Sequence, residues 1–217
     1  MALEPNMRTL LKWIFQLTMS IGVSVSHAGA YEDFFKAIDM DDGRTISGLI
    51  RRGFDANSPS VSGQTPLFLA IRSGAHQAVE ALLTAPDLKV DQVNEANETA
   101  LMMAALRGHL EWCKRLVERG AAVNREGWTP LHYAATGPNP LVTAYLLEMR
   151  AAVDASSPNA TTPLMMAARY GHEDSVRVLL AANANPRLRN QKDLSAADFA
   201  REAGREALAQ QLAQRAR

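Results

Sequence analysis

The apolar positions of this chain come in paired bursts separated by polar stretches that carry glycine and proline. The first burst of each pair opens on a threonine and runs into alanine. Thr65-Pro66-Leu67 leads to Ala70, Thr99-Ala100-Leu101 to Ala104-Ala105, Thr129-Pro130-Leu131 to Ala134-Ala135, and Thr162-Pro163-Leu164 to Ala167-Ala168. The second burst carries adjoining apolar residues at Leu82-Leu83, Leu116-Val117, Leu146-Leu147 and Leu179-Leu180. Both patterns predict helices. Threonine is a good N-cap because its hydroxyl accepts a bond from a free amide of the first turn, and proline suits the next position, where that amide needs no partner. The alanines let neighbouring helices approach without voids. The paired apolar residues then bury against the units before and after. Glycine is expected to end the first helix at Gly74, Gly108 and Gly171 in a left-handed conformation, which suits a residue without a β-carbon.

The capping residues recur at steps of 34, 30, 33 and 33 from Thr65 to Ser195 of Leu194-Ser195-Ala196-Ala197. After the second helix, Gly120-Ala121-Ala122-Val123-Asn124 leads the chain into a loop, and Asn183-Ala184 stands in the same place. A period near 33 with a T-P-L-H-x-A motif resembles the ankyrin-repeat family. The resemblance implies an all-α ankyrin-repeat solenoid of about five helix-turn-helix units joined by loop or β-hairpin-like connections. It covers residues 31 to about 213. The expected division is a signal peptide over 1–30, an N-terminal capping repeat over 31–63 and repeats over 64–97, 98–127, 128–160 and 161–193, with C-terminal capping helices over 194–217. Departures from the family pattern are Ala100 in place of proline, Arg150 in place of the loop glycine, and Pro138-Asn139-Pro140 in place of the G-H turn. The loop at 124–127 lacks about three residues of the usual finger, and Thr84 to Asn94 is longer than the family's exit.

The N-terminus follows a different pattern. Arg8 and Lys12 precede a mostly apolar run of 13 residues, Trp13 to Val25, and then Ala28-Gly29-Ala30. This is the layout of a signal peptide, too short for the roughly 20 residues of a bilayer span. Cleavage is expected after Ala30, with Ser26-His27-Ala28 as a second site and Met7 as an alternative start. The competing expectation is an uncleaved N-terminal helix that anchors the chain. With the leader, the chain reads as a bacterial exported ankyrin-repeat protein, periplasmic or secreted.

Charge then narrows the partner. The 217 residues include 23 basic and 23 acidic side chains, so no global field draws the chain to nucleic acid or an anionic membrane. Partner choice must be local. The expectation is another protein as partner, no nucleic acid, no membrane insertion of the mature domain, and a monomer. The single cysteine, Cys113, excludes an internal disulfide and reads as a core residue.

No constellation for catalysis or metal binding emerges, and no cofactor is expected. His109 and His172 follow turn glycines as in the family, His76 lies two residues after one, and His132 is the histidine of the T-P-L-H tile. For His132 a neutral ring bonded to backbone between repeats is expected, since no acid partner stands at fixed spacing. His172-Glu173-Asp174 lacks the second histidine of a zinc helix. Asp39-Met40-Asp41-Asp42-Gly43 lacks the last glutamate of a calcium loop and reads as the join between two helices. Met102-Met103 and Met165-Met166 read as helix core.

The resemblance implies contact positions on the loop tips and first helices, which together form the concave face. Carried onto this chain, these are Gln64, Glu98, Trp128 and Thr161 before the caps, and Arg72, Ser73, Leu106, Arg107, Thr136, Arg169 and Tyr170 at the helix ends. Trp128 and Tyr170 are the expected anchors, with the arginines beside them. The function expected is a non-catalytic protein-protein interaction module of the cell envelope. The alternatives are an immunity or inhibitor protein that blocks a toxin or enzyme and, more remotely, an envelope hydrolase around His132, Tyr133 and Tyr145.

Overall fold

A computed structural model describes residues 29–216; of the expected signal peptide only Gly29 and Ala30 are described, so the cleavage point expected after Ala30 falls within the first helix, while the second site at Ser26-His27-Ala28 lies outside the described residues. The described chain is all helical, its only β-type pairing an isolated bridge between Arg189 and Ser195. Helix α1 covers residues 29–39. It is followed by α2 (Gly43–Arg51), α3 (Pro66–Ser73), α4 (His76–Leu83), α5 (Ala100–Arg107) and α6 (Leu110–Glu118). Then come α7 (Pro130–Thr136), α8 (Pro140–Glu148), α9 (Pro163–Tyr170), α10 (Glu173–Ala181), α11 (Ala196–Glu202) and α12 (Glu206–Arg215). The first helices α3, α5, α7, α9 and α11 pack in one row, each on the next. Among the second helices α2 packs on α4, and α6 and α10 flank α8. Among the described residues no helix is long and apolar enough to cross a membrane.

The capping threonines act as their chemistry dictates. Thr65, Thr99 and Thr162 each accept, through Oγ1, the amide of the residue three positions on, and Ser195 does the same for Asp198. Ala70, Ala104, Ala105, Ala134, Ala135, Ala167 and Ala168 are wholly buried in the row of first helices, as are Leu82, Leu116, Leu146 and Leu179 in the second. Each such leucine contributes about 1.5–3 kcal/mol by leaving water.

The position three residues after the cap shows a substitution that sequence reading did not anticipate. In α7 it is His132, whose Nδ1 accepts the Thr129 amide at 3.2 Å and whose Nε2–H donates to the Thr161 carbonyl at 2.9 Å. In α5 and α9 it is Met102 and Met165, and their sulfurs accept the Thr99 and Thr162 amides, both at 3.4 Å. The thioethers fill the place of the imidazole and keep one of its bonds. Core packing therefore describes these methionines only in part.

The turns within units correct one expectation. Gly74 and Gly108 are left-handed, with φ of 72° and 73°. Gly171 is not: its backbone is extended, at φ −85° and ψ 174°, and Gly137 adopts φ −71° and ψ 168°. Glycine is needed there for another reason. A β-carbon on Gly137 would lie 2.8 Å from the Ala105 carbonyl oxygen, and one on Gly171 would overlap the Ala135 carbonyl, so the preceding unit leaves no room for a side chain.

Fingers connect successive units, over residues 52–65, 84–99, 119–129, 149–162 and 182–195. The second is the longest and the third the shortest, as their sequences predict. A backbone bond closes four of them, from the amides of Ser60, Asn94, Ser157 and Asn190 to the carbonyls of Gln64, Glu98, Thr161 and Leu194. The short third finger lacks the residues that would make it. Two residues before each cap the chain turns left-handed at Gly63, Asn97, Gly127, Ala160 and Asp193. Side chains also bracket each loop to the next. Asn57 bonds the Lys89 amide and Asp87 carbonyl, Asp91 accepts from the Ala122 amide, Asn124 bonds Ala152 and Arg150, and Asp154 accepts from the Asn185 amide.

Candidate protein-binding face

Four contact positions stand just before the caps, and three of them, Gln64, Glu98 and Thr161, are hydrogen-bonded into the molecule. Asn94 Nδ2 donates to Gln64 Oε1 at 2.9 Å and to Glu98 Oε2 at 3.0 Å. Tyr133 donates its phenol proton to Glu98 Oε1 at 2.9 Å. Burial and this bond push the Tyr133 hydroxyl above its ordinary range. Gln64, Asn94, Glu98 and Tyr133 thus form a chain of bonds across three units. Arg125 of the short finger adds another tie, to Asn97 Oδ1 at 2.8 Å. Asn94, Tyr133 and Arg125 were not among the contact positions drawn from the resemblance, and only the place of Tyr133 beside the T-P-L-H histidine marks any of them in the sequence.

Thr161 overturns its expectation. It is only 2% exposed, its carbonyl accepts from His132 and its amide donates to Ser157 Oγ at 3.0 Å. A complete finger closes over it, so its side chain is absent from the surface. Trp128 is half-buried and lies edge-on against the His132 ring, 5.1 Å between centroids. Its neighbour is the core histidine of its own unit. His132 is 1% exposed, and loss of hydration on burial pulls its pKa down to about 4.

The helix-end row is more open. Arg72 and Arg107 are exposed, and Arg72 lies 6.0 Å from the Phe68 ring. Ser73 turns its hydroxyl back to the Leu69 carbonyl, and Thr136 does the same to His132. Leu106 is half-buried. Arg169 pairs with Glu202 at 2.5 Å and stacks on Tyr170 at 5.3 Å and Phe199 at 5.8 Å. That fixes the guanidinium beside Tyr170, which at 57% exposure is among the few large apolar side chains facing solvent. A broad aromatic ring held next to an ordered cation is the composition of an interface anchor.

Reactive chemistry is sparse. Cys113 is wholly buried, which pushes its thiol up to about 12. Asp42 caps α2 and Asp41 accepts the Ala78 amide, so the acidic segment at 39–43 joins helices. Among the described residues no group of three or more His, Cys, Asp or Glu is placed to hold a metal ion.

A family model described as ankyrin repeats (3 copies) matches residues 34–126, 86–157, 123–190 and 137–216. The chain belongs to the ankyrin-repeat family. It is 30% identical over 161 residues to the nuclear factor NF-kappa-B p105 subunit of Gallus gallus, a match covering 71% of this chain and 16% of that protein. It is 36% identical over 148 residues to neurogenic locus notch homolog protein 4 of Homo sapiens, covering 60% of this chain and 7% of that one. With protein phosphatase 1 regulatory subunit 27 of Mus musculus it shares 33% identity over 96 residues, 43% of this chain and 62% of that protein. The chain spans only a small part of the first two relatives. Ankyrin repeats are a generic protein-protein interaction module.

Proposed function

We propose that this ankyrin array is a non-catalytic binding module of the cell envelope, engaging a partner protein through the concave face formed by its fingers and first helices. One observation carries the choice of face: Tyr170 stands exposed beside an arginine held by Glu202 and two aromatic rings, in the same row as the exposed Arg72 and Arg107. Rigid aromatics and arginines concentrate binding energy at interfaces. The mouse relative, named as a regulatory subunit of a phosphatase, supports a role exerted on another protein. Export rests on the basic Arg8 and Lys12, the apolar Trp13 to Val25 and Ala28-Gly29-Ala30.

The test is quantitative capture from envelope extract, comparing the tagged chain with a Tyr170→Ala, Arg107→Glu double variant whose melting curve matches the parent. Loss of a partner in the variant supports the face. Retention at full yield moves the interface elsewhere. Recovery of the chain with residues 1–30 intact from the cytoplasmic fraction would overturn the envelope assignment.

A further inference from the structure

Two histidines of successive units converge on the edge opposite the fingers. His76 is the first residue of α4, and His109 is the N-cap of α6, with no side-chain bond to the amides it caps. Their ring centroids are 6.3 Å apart at an interplanar angle of 79°. Both rings lie on Trp112, at 4.7 and 4.2 Å. Trp112 is only 5% exposed and fixed in the core of α6, so it forms a rigid wall against which the two imidazoles are held. His76 is exposed and His109 half-buried, so the space between them is open to solvent.

We propose that His76 and His109 form a two-imidazole site for a late divalent transition-metal ion of the nickel, copper or zinc class. Metal–nitrogen bonds of about 2.0–2.1 Å put each ring centre roughly 3 Å from a shared ion and the two centres about 5–6 Å apart, a spacing reached by a small rotation of the exposed His76. The donors are nitrogen alone, which suits these ions and not calcium or magnesium. The remaining coordination positions are open to water or to a side chain of a bound protein. Arg107 is the charged group felt at His109, and it opposes a cation. Its guanidinium is exposed, where water screens it.

The test is calorimetric titration of the full chain with nickel ion after removal of adventitious metal. Saturable one-to-one binding is expected, weakened at least about tenfold in His76→Gln and in His109→Gln, since loss of either donor removes the chelate. A paramagnetic ion this near an indole should quench Trp112 emission, and the quenching should disappear in the same variants. His172→Gln, which alters a lone exposed imidazole, should bind as the parent does, and Arg107→Gln should bind more tightly. His109 sits at a helix cap, so His76→Gln decides the matter if the other variant is unstable. Saturable binding that survives His76→Gln, or none up to millimolar ion, would overturn the assignment.

Discussion

Units built on α3–α6 and units built on α7–α10 reach the same helix-turn-helix shape by different chemistry. In the former, Gly74 and Gly108 are left-handed, and the amide that follows bonds five residues back, Ala75 to Ala70 and His109 to Ala104. The second helices α4 and α6 then begin without a side-chain cap. In the latter the glycines are extended, that bond is missing, and Asn139 and His172 cap α8 and α10 through their side chains. Pro138 explains α7, because proline has no amide to send back. For α9 the explanation lies in another unit. Arg205, before α12, donates to the carbonyls of Ala167, Ala168 and Gly171, and so satisfies the acceptor a left-handed turn would have used. Hydrogen bonds at a helix end are obligatory, but the donor need not be local.

The comparison can be broken at its core. Leu116→Ala and Leu146→Ala remove equally buried side chains from α6 and α8, and each should cost about 2–5 kcal/mol in chemical denaturation. A much smaller loss in α8 would mean that the irregular unit collapses around the void. Acid sharpens it next. His132 has a folded pKa of about 4 against an ordinary 6.5. Between those values the unfolded chain takes up a proton that the folded chain refuses, so stability falls as pH drops through this window, by about 3 kcal/mol in all. His132→Met, which copies Met102 and Met165, should flatten that part of the stability–pH profile. Arg205→Ala should lower stability by about 1.5–3 kcal/mol, as expected for a charge-assisted bond, where Arg201→Ala on the exposed face should change it little. The smallest effect has the opposite sign. Ala160 is held at φ 61°, and Ala160→Gly should stabilise by about 0.5–1 kcal/mol, whereas the same change at Ala152 should not.

The sequence discloses this array where one residue answers to one local rule. Thr65, Thr99, Thr129 and Thr162 start helices, the leucine of each pair is core, and Arg150 and Asn183 take the left-handed place of Gly120. The contact positions were legible as places in the repeat, but their state was not. Glu98 is engaged by Asn94 and Tyr133, and Thr161 is covered, because both depend on the length of a finger and on what the adjoining unit presents to it. Gly171 was misjudged for the same reason: its neighbours are Ala135 in the preceding unit and Arg205 in the following one.

The brackets at Asn57, Asp91, Asn124 and Asp154 each reach one loop and no further. Tension applied between residue 29 and residue 216 would therefore be carried in series, every junction bearing the whole load and none sharing it. Such a chain of links extends stepwise and gives first where its closure is thinnest, at the short finger of residues 119–129, which lacks the backbone bond that shuts the other four.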